Sequence, residues 1–519
     1  MKRELFIILI SGMLLGGCGT KRRATTVREQ SYTEKTQSVK KDTIEIKPWV
    51  KPYVADVRHE MRGVWLTTVY GLDWPRAKAD SYKGQKVQQE ELLLILDRLR
   101  DDGFNTVFLQ VRLRGNMIFA SEYEPWANIF TRSGQPPQYD PLAFVVDACH
   151  RRGLACHAWL VTYPMGNNTE VNRSFRTSKP DWFVKHINEW YLDPGAPEVR
   201  TYLTKLCAEI VEKYPVDGIH LDYIRYPDHA KSFNDRKTFN RYGKGKSLAE
   251  WRRNNITELL REVKKTIEEI NPYVQLSAAP LGKLKHLGAK VTPHGWTAYE
   301  SVYQDVEQWD REKLLDFVVP MMYYKDDLFE PFLLDWQRSL KHTAVIAGLG
   351  PYRLSEGSKA MRWKEEDILC QMDFVKNVRV DGVCFFRDEF ISNRYSQMRE
   401  SIRKEFRTQA LLPELSRGKN YLPTTPFDVK LEHRGAEYYL SWQMKEPIDK
   451  RIKYRVWVSI KDEKGDTANR LLADGVSDLS FKVPSSVLAS VERIEFGVEA
   501  VNSFGVATPC EHGAHYMKQ

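Results

Sequence analysis

Short apolar stretches alternate with amphipathic helical segments through most of the chain. Runs rich in Val, Ile, Leu and Phe predict buried strands, and apolar residues recurring every three or four positions between several of them predict helices. The predicted strands are 61–69, 105–112, 154–163, 216–222, 274–280, 317–324, 343–350 and 380–387. Strands alternating with helices predict a parallel sheet, and eight such strands predict a closed (β/α)₈ TIM barrel of the α/β class, spanning 58–410.

The pattern changes after about residue 421. Segments such as YYLSWQM, KYRVWVSI and RIEFGVEAVN alternate apolar and polar positions, and no helical pattern separates them. Such a run predicts a small all-β sandwich at 421–519. The strand around Trp442, the YRVWVS strand and the EAVNSFG stretch resemble a fibronectin type III module. We expect a packing or spacing role for this domain, with sugar binding as the less favoured alternative.

The first eighteen residues predict a lipoprotein export signal. Lys2 and Arg3 precede an apolar run, and Leu15-Gly16-Gly17-Cys18 resembles a bacterial lipobox, so Cys18 is the expected lipidated residue. An ordinary secretory signal or a short membrane helix is the alternative, although the run is short for a bilayer span. Residues 19–57 are mostly polar and charged, which predicts a flexible tether. Gly19 after the cysteine favours the outer membrane, facing the periplasm or the cell surface.

Charge and cysteine content exclude several classes of function. The net charge is +9, but most of the excess lies in the first 51 residues, which makes nucleic acid a poor candidate partner. The seven cysteines form no CxxC pair and no zinc pattern. The sequence therefore predicts no metal and no cofactor.

Candidate chemistry lies where the predicted strands end. In VDGIHLDYIRYP, strand alternation directs His220 and Asp222 into the barrel, and Asp222 falls at the C-terminal end, where barrel enzymes hold their active sites. A purely structural pairing of Asp222 with Arg225 is the alternative. Carboxylates, arginines and aromatic rings without a metal cluster suit glycan chemistry. The residues expected to bind substrate are Gln110, Arg112, His157, Trp159, His220, Arg225, Tyr323, Tyr324, Arg353, Arg387 and Asp388.

Cleavage of a glycosidic bond requires two carboxyl groups, one ionised and one protonated. We expect Asp222 to act as the nucleophile or charge stabiliser. Candidates for the proton donor are Glu389, Asp305 and Asp388, in that order. Further candidate residues have a structural alternative: Trp159 could be a packing residue, and Tyr323 and Tyr324 could fill the barrel. Asp305 begins a helical pattern and could serve as its N-cap, and His220 could be a hydrogen-bonded core histidine.

The chain resembles the glycosyl-hydrolase-like family ten across the predicted barrel. The matching stretches, in order, are MRGVWLTT, FNTVFLQVR, SEYEPW, YDPLAFVVDACHRRGLACHAW, LDPGAPEVR, VDGIHLDYIRYP, WRRNN, SAAPLG, VVPMMYY and GPYR. The resemblance implies a TIM barrel with glycoside hydrolase activity on cell-wall or other polysaccharides. It places Asp222 at the family's acidic position after the fourth strand, and Gln110 and Arg112 carry over as well.

The sequence therefore predicts a lipid-anchored glycoside hydrolase, held at a membrane through its N-terminal lipid. Peptidoglycan glycan strands are the first expected substrate and environmental polysaccharide the second. The chain departs from the family pattern at Val161–Pro164, at Asn116 and in the PMMYY segment. These departures leave open a non-catalytic glycan-binding lipoprotein on a degenerate barrel.

Overall fold

The computed structural model describes residues 57–167, 172–288, 295–324, 328–356, 363–445, 449–461, 467–489 and 493–517. The predicted export signal, Cys18 and nearly all of the predicted tether lie outside these residues. Val57 and the segment that follows lead directly into the first domain.

Eight parallel strands form a closed barrel within the described residues, which confirms the predicted fold. They are β1 (Met61–Leu66), β2 (Thr106–Arg112), β3 (Ala155–Val161), β4 (Gly218–Asp222), β5 (Gln275–Ala279), β6 (Phe317–Val318), β7 (Ala344–Val345 and Ala347–Leu349) and β8 (Gly382–Phe386). The first half of β7 pairs with β6 and the second half pairs with β8, so the two halves are the first and last members of the sheet order. Because both halves belong to one strand, the sheet closes on itself.

A helix follows each strand and packs outside the barrel. They are α1 (Tyr82–Asp101), α2 (Pro141–His150), α3 (Pro197–Lys213), α4 (Leu248–Ile270), α5 (Val306–Arg311), α6 (Phe329–Ser339), α7 (Glu365–Val378) and α8 (Ser396–Glu405). Side chains cap several N-termini: Ser81 accepts from the amide of Gly84, and Asp140 accepts from the amide of Ala143. These contacts fix where α1 and α2 begin.

Two of these helices, α6 and α8, were not predicted, although the buried residues of α6 (Phe329, Phe332, Leu333 and Trp336) follow helical spacing. In α6, Pro331 resembles a helix breaker, yet it falls in the first turn, where no intrahelical donor is lost. In α8 the buried residues are Met398 and Ile402, too few to produce a visible apolar stripe. The segment after β3 contains a three-stranded sheet made of 164–166, 183–186 and 189–192, which was not predicted.

The C-terminal region folds as two antiparallel sheets. The first contains β9 (Phe427–Arg434), β10 (Glu437–Gln443) and β13 (Ser480–Val483); the second contains β11 (Lys453–Lys461), β12 (Thr467–Val476), β14 (Arg493–Val501) and β15 (Glu511–Met517). Apolar residues from both sheets, including Trp442, Tyr454 and Phe496, form a separate core. The all-β prediction is confirmed, and the likeness to a fibronectin type III module stays a prediction.

The β-domain closes the floor of the barrel, at the N-terminal ends of the strands. Phe504, from the connection between β14 and β15, is fully buried in one cluster with Met61, Phe108 and Phe317 of the barrel interior. Arg451 Nε donates to the carbonyl of Val216 at 2.7 Å, just before β4 begins. The β-domain therefore lies opposite the end where the strands finish.

Within the described segments, no helix combines the length and the apolar character that a membrane span requires.

Candidate active site

Asp222 is the last residue of β4 and lies at the C-terminal mouth of the barrel. Both of its carboxylate oxygens accept hydrogen bonds: Oδ1 from the amide of Tyr223 at 2.7 Å, and Oδ2 from the indole Nε1 of Trp159 at 3.1 Å. Trp159 reaches Asp222 because it points inward from β3, which pairs with β4. The sequence predicted both residues for the site, and the structure brings them together.

The environment of Asp222 shifts its acidity. Burial raises the pKa of its carboxyl group to about 6, against the opposing effects of the Tyr223 amide, Trp159 and Arg225. A carboxyl group with a pKa near 6 changes its protonation state close to neutral pH, which suits it to acid–base or nucleophilic chemistry.

Arg225 lies buried beside this carboxylate. Its Nη1 donates to Asp228 Oδ1 at 2.9 Å and to the carbonyl of Tyr226 at 3.2 Å. Its Nε and Nη2 are buried and have no hydrogen-bond partner among the described residues. The guanidinium carbon lies 4.8 Å from the centre of the Tyr223 ring, so Tyr223 lies against the arginine. None of these contacts joins Arg225 to Asp222, so the purely structural pairing of the two side chains is not observed among the described residues.

Aromatic rings form one wall of the mouth beside Asp222. The Tyr323 ring lies edge-on to Tyr352, with ring centres 5.4 Å apart, and 5.8 Å from Phe386. Asp222 and Tyr223 both contribute to raising the pKa of Tyr323, although burial is the main cause. Tyr323 therefore remains a neutral phenol close to the carboxylate, as its predicted role in substrate binding requires.

Glu356 extends this wall, and sequence reasoning missed it. It follows β7 on the same face and is half-buried. Burial raises the pKa of its carboxyl group, against the opposing effect of Arg353, whose Nη1 lies 3.3 Å from Oε2. Glu356 also contributes to raising the pKa of Tyr352. The wall thus connects two carboxyl groups with raised pKa values, Asp222 and Glu356.

A second buried network lies between the ends of β1 and β8. Asp73 Oδ1 accepts from Arg387 Nη1 at 2.6 Å and from the amide of Glu389 at 3.0 Å. Arg387 also pairs with Glu389 at 2.5 Å, and Arg394 forms a second ion pair with the same carboxylate. Glu389, predicted first among the proton donors, thus contacts an arginine through each of its carboxylate oxygens. Burial raises the pKa of Asp73 to about 6.

The other two proton-donor candidates make structural contacts. Asp305 accepts from the amide of Gln308 at 3.1 Å and caps α5, which is the alternative that the sequence left open. Asp388 is buried and pairs with Arg98 of α1 at 2.5 Å. Neither contact directs the carboxyl group toward Asp222.

The polar end of β2 holds neighbouring loops in place. Gln110 Oε1 accepts from the amides of Thr68 and Val69, in the loop after β1. Arg112 is fully buried and forms a bidentate pair with Glu124, with Nη2 to Oε1 at 2.6 Å. The sequence predicted both Gln110 and Arg112 as substrate-binding residues, whereas the partners that the structure gives them lie within the protein.

The remaining predicted residues occupy two layers. His220 forms two hydrogen bonds in the barrel core. Its Nε2 accepts from Trp65 Nε1 at 3.2 Å, and its Nδ1 pairs with Ser277 Oγ at 2.9 Å. His157 packs against Phe108, and burial lowers its pKa to about 4, so it is neutral. These contacts agree with core histidines. Closer to the mouth, Tyr324 packs against Phe332, and Arg353 lies over the ring of Tyr352.

Among the described residues, no group of three or more His, Cys, Asp or Glu side chains is arranged to hold a metal ion.

Comparisons with known proteins agree with this geometry. Residues 60–346 match the family model described as Glycosyl hydrolase-like 10. The chain is 32% identical over 376 residues to "Glycosyl hydrolase DigH" of Escherichia coli K12, covering 65% of this chain and 85% of that protein. It is 27% identical over 447 residues to "Glycosyl hydrolase YngK" of Bacillus subtilis, covering 81% and 87%.

The fold is also similar to a solved structure, the PgaB (BpsB) glycoside hydrolase domain of Bordetella bronchiseptica, with a TM-score of 0.48 and 14% identity over 66% of this chain and 98% of that one. The family match and the curated relatives indicate a protein of the glycoside hydrolase type. The chain belongs to the Glycosyl hydrolase-like 10 family.

Proposed function

We propose that the protein hydrolyses glycosidic bonds of a polysaccharide at the C-terminal mouth of its barrel. The observation that carries the proposal is Asp222, at the end of β4, with both oxygens held by N–H donors and an aromatic wall beside it. Such a wall stacks on the apolar faces of sugar rings, while the carboxylate faces the bond to be cleaved.

Asp222 acts as the ionised carboxylate of the reaction. The two hydrogen bonds that it accepts stabilise its charged form, and glycosidic cleavage develops positive charge on the sugar ring. An ionised carboxylate at this position either attacks the anomeric carbon or stabilises that charge. The Trp159 indole fixes which way the carboxylate faces.

Glu356 supplies the proton to the leaving oxygen. Its pKa is raised by burial, it is half-buried rather than enclosed, and it lies at the far end of the wall that begins at Asp222. Glu389, by comparison, has both carboxylate oxygens engaged by arginines, Oε2 by Arg387 and Oε1 by Arg394. Glu356 pairs with Arg353 through Oε2, yet burial still raises its pKa, as suits a proton donor that has to be neutral before the reaction.

Peptidoglycan glycan strands suit the site better than neutral polysaccharides do. The Nε and Nη2 of Arg225 form the edge of a guanidinium group that binds carboxylates in bidentate fashion, and here that edge has no partner among the described residues. In peptidoglycan strands without stem peptides, the lactyl group on every second sugar ends in a free carboxylate, whereas neutral polysaccharides carry none. Arg225 is buried, so neighbouring side chains have to move for a carboxylate to reach this edge.

The proposed location is the bacterial envelope, with the chain anchored by a lipid on Cys18. The described chain begins at the barrel floor, where residues 58–59 pair with 410–411 beside the start of β1. That floor lies at the opposite end of the barrel from Asp222.

Reducing-end release by a soluble form beginning near Lys51 tests the proposal. The substrates are peptidoglycan with and without stem peptides, the same glycan with its lactyl carboxyl groups reduced to alcohols, and several neutral polysaccharides. We expect release from the strands without stem peptides and weaker release from their carboxyl-reduced form. Release from neutral polysaccharides only would overturn the substrate assignment, and glycan binding without any release would favour the non-catalytic alternative.

A further inference from the structure

Tyr70 is an exposed aromatic residue in a strained backbone conformation. Its side chain is 68% exposed, and its backbone has φ 57° and ψ 11°, in the left-handed region that residues other than glycine rarely adopt. Such strain costs about 1 to 3 kcal/mol, and an exposed ring regains little of it through packing. Among the described residues, no ring contact or hydrogen bond of its side chain accounts for a tyrosine at this position.

The loop that presents Tyr70 is held rigidly from both sides. Before it, Gln110 Oε1 accepts from the amides of Thr68 and Val69 at 3.1 and 2.9 Å. After it, the buried Asp73 accepts from the amide of Thr67 at 2.8 Å and pairs with Arg387. The loop therefore fixes the backbone that carries the Tyr70 ring before any ligand arrives.

This loop belongs to the mouth of the barrel. Thr67 follows β1 directly, Gln110 lies at the end of β2, and Arg387 lies just after β8. Tyr70 thus lies on the rim of the same face as Asp222, but on the side of β1 and β2, whereas Asp222 belongs to β4. A ligand that touches both residues has to extend across the mouth.

Other strained residues share this face. Of the non-glycine residues with positive φ in the described chain, Tyr70, Ile187, Tyr223, His229 and Tyr303 all lie in segments that follow a barrel strand. Strained conformations of this kind cluster where a binding or catalytic function maintains them. Tyr70 differs from the other two tyrosines of this group, Tyr223 and Tyr303, in its high exposure.

We propose that Tyr70 forms a stacking subsite for a pyranose ring of the polymer, remote from the bond that is cleaved. This inference rests on the proposed glycoside hydrolase function. The apolar C–H face of a sugar ring packs on an exposed aromatic face. Because the loop that carries Tyr70 is already held in place, less entropy is lost on binding. The subsite engages glycans that are long enough to reach from Asp222 to the β1 side, so it acts on affinity and leaves the chemical step unchanged.

Kinetics on peptidoglycan glycan strands of graded length test the subsite. Tyr70→Ala and Tyr70→Gly should raise KM for long strands about 3- to 10-fold with kcat unchanged, and should leave the shortest cleavable strand unaffected. Tyr70→Phe keeps the ring and should match the wild type. The matched control is Tyr82→Ala, because Tyr82 is 69% exposed but sits on an ordinary helix with the Lys86 ammonium over its ring.

The glycine variant separates binding from stability. Tyr70→Gly relieves the backbone strain, so it should resist urea at least as well as the wild type while still binding long strands more weakly. Kinetics of Tyr70→Ala that match those of Tyr82→Ala, or a loss confined to kcat, would overturn the subsite.

Calorimetric binding to the same strands keeps this result distinct from the proposed function. If the wild type cleaves nothing but Tyr70→Ala binds long strands more weakly, the hydrolase proposal fails and the subsite stands. If wild type and Tyr70→Ala bind equally, or neither binds, the subsite is refuted whatever the activity.

Discussion

The indole Nε1 of Trp159 donates a hydrogen bond to Asp222 Oδ2 at 3.1 Å, from one inward-facing strand position to the next strand's last residue. The backbone amide of Tyr223 donates a hydrogen bond to the other carboxylate oxygen, Oδ1. Asp222 thus combines deep burial, which favours its neutral form, with two donors that favour its charged form. The balance between these effects sets the pH at which the site works.

The first prediction concerns the pH dependence of kcat/KM. Because Asp222 is required in its ionised form and burial raises its pKa to about 6, kcat/KM should fall as the pH drops below about 6. Trp159 lowers this pKa, so Trp159→Phe should raise it and move the acidic limb of the profile to higher pH. The measurement is kcat/KM from mildly acidic to mildly alkaline pH for both proteins. A limb that does not move in the variant would show that another group controls it.

The second prediction separates the two candidates for proton donor. Glu356→Gln should lower kcat about 10²- to 10⁴-fold on the natural glycan and far less on an aryl glycoside whose leaving group needs no proton. Glu389→Gln, which removes a carboxylate already paired with Arg387 and Arg394, should retain activity within about tenfold. The opposite pattern of losses would return Glu389 to the role that the sequence suggested.

The third prediction concerns the buried pair of Arg112 and Glu124. Removing one partner leaves an uncompensated buried charge, so Arg112→Ala should lower the free energy of unfolding by about 3 to 5 kcal/mol. Urea denaturation measures this. The control is Arg151→Ala, whose pairing with Asp147 is exposed and should contribute at most about 1 kcal/mol. A stable Arg112→Ala protein with a raised KM would instead place this arginine in substrate binding.

The fourth prediction concerns the barrel floor. Phe504 is fully buried against residues of the barrel interior, so Phe504→Ala should destabilise the protein by about 3 to 5 kcal/mol, although it belongs to the β-domain. Leu479→Ala, on the β-domain surface, should change stability by less than about 0.5 kcal/mol. The measurement is urea denaturation followed by tryptophan fluorescence. Equal free energies of unfolding for the two variants would contradict the account.

The sequence predicted the barrel well because each strand carries its own apolar signal and the number of strands decides closure. It also placed Asp222 at the C-terminal end of β4, because the alternation of side chains along a strand follows from the local sequence. Partnerships between distant residues carry no such signal. Asp73 and Arg387 lie 314 positions apart, and only the closed barrel brings their loops together.

The same reason explains the residues that were missed. Glu124 stands in a stretch that resembles the family, yet nothing local shows that Arg112 is its partner. Glu356 follows a strand end as Asp222 does, but its raised pKa comes from burial that only the folded loops create. The sequence around Phe504 indicates a turn of the β-domain. Its burial in the barrel floor depends on how the two domains pack, which the local sequence does not show.

The central claim is that Asp222 carries hydrolysis, and reducing-end release by Asp222→Asn tests it most directly. Asparagine offers one acceptor where the carboxylate offers two, so circular dichroism and thermal unfolding have to show first that the variant is folded. On the glycan that the wild type cleaves, the account predicts that release falls by at least about a hundredfold while glycan binding persists. Release equal to that of the wild type would contradict the account and place the catalytic carboxylate elsewhere in the mouth.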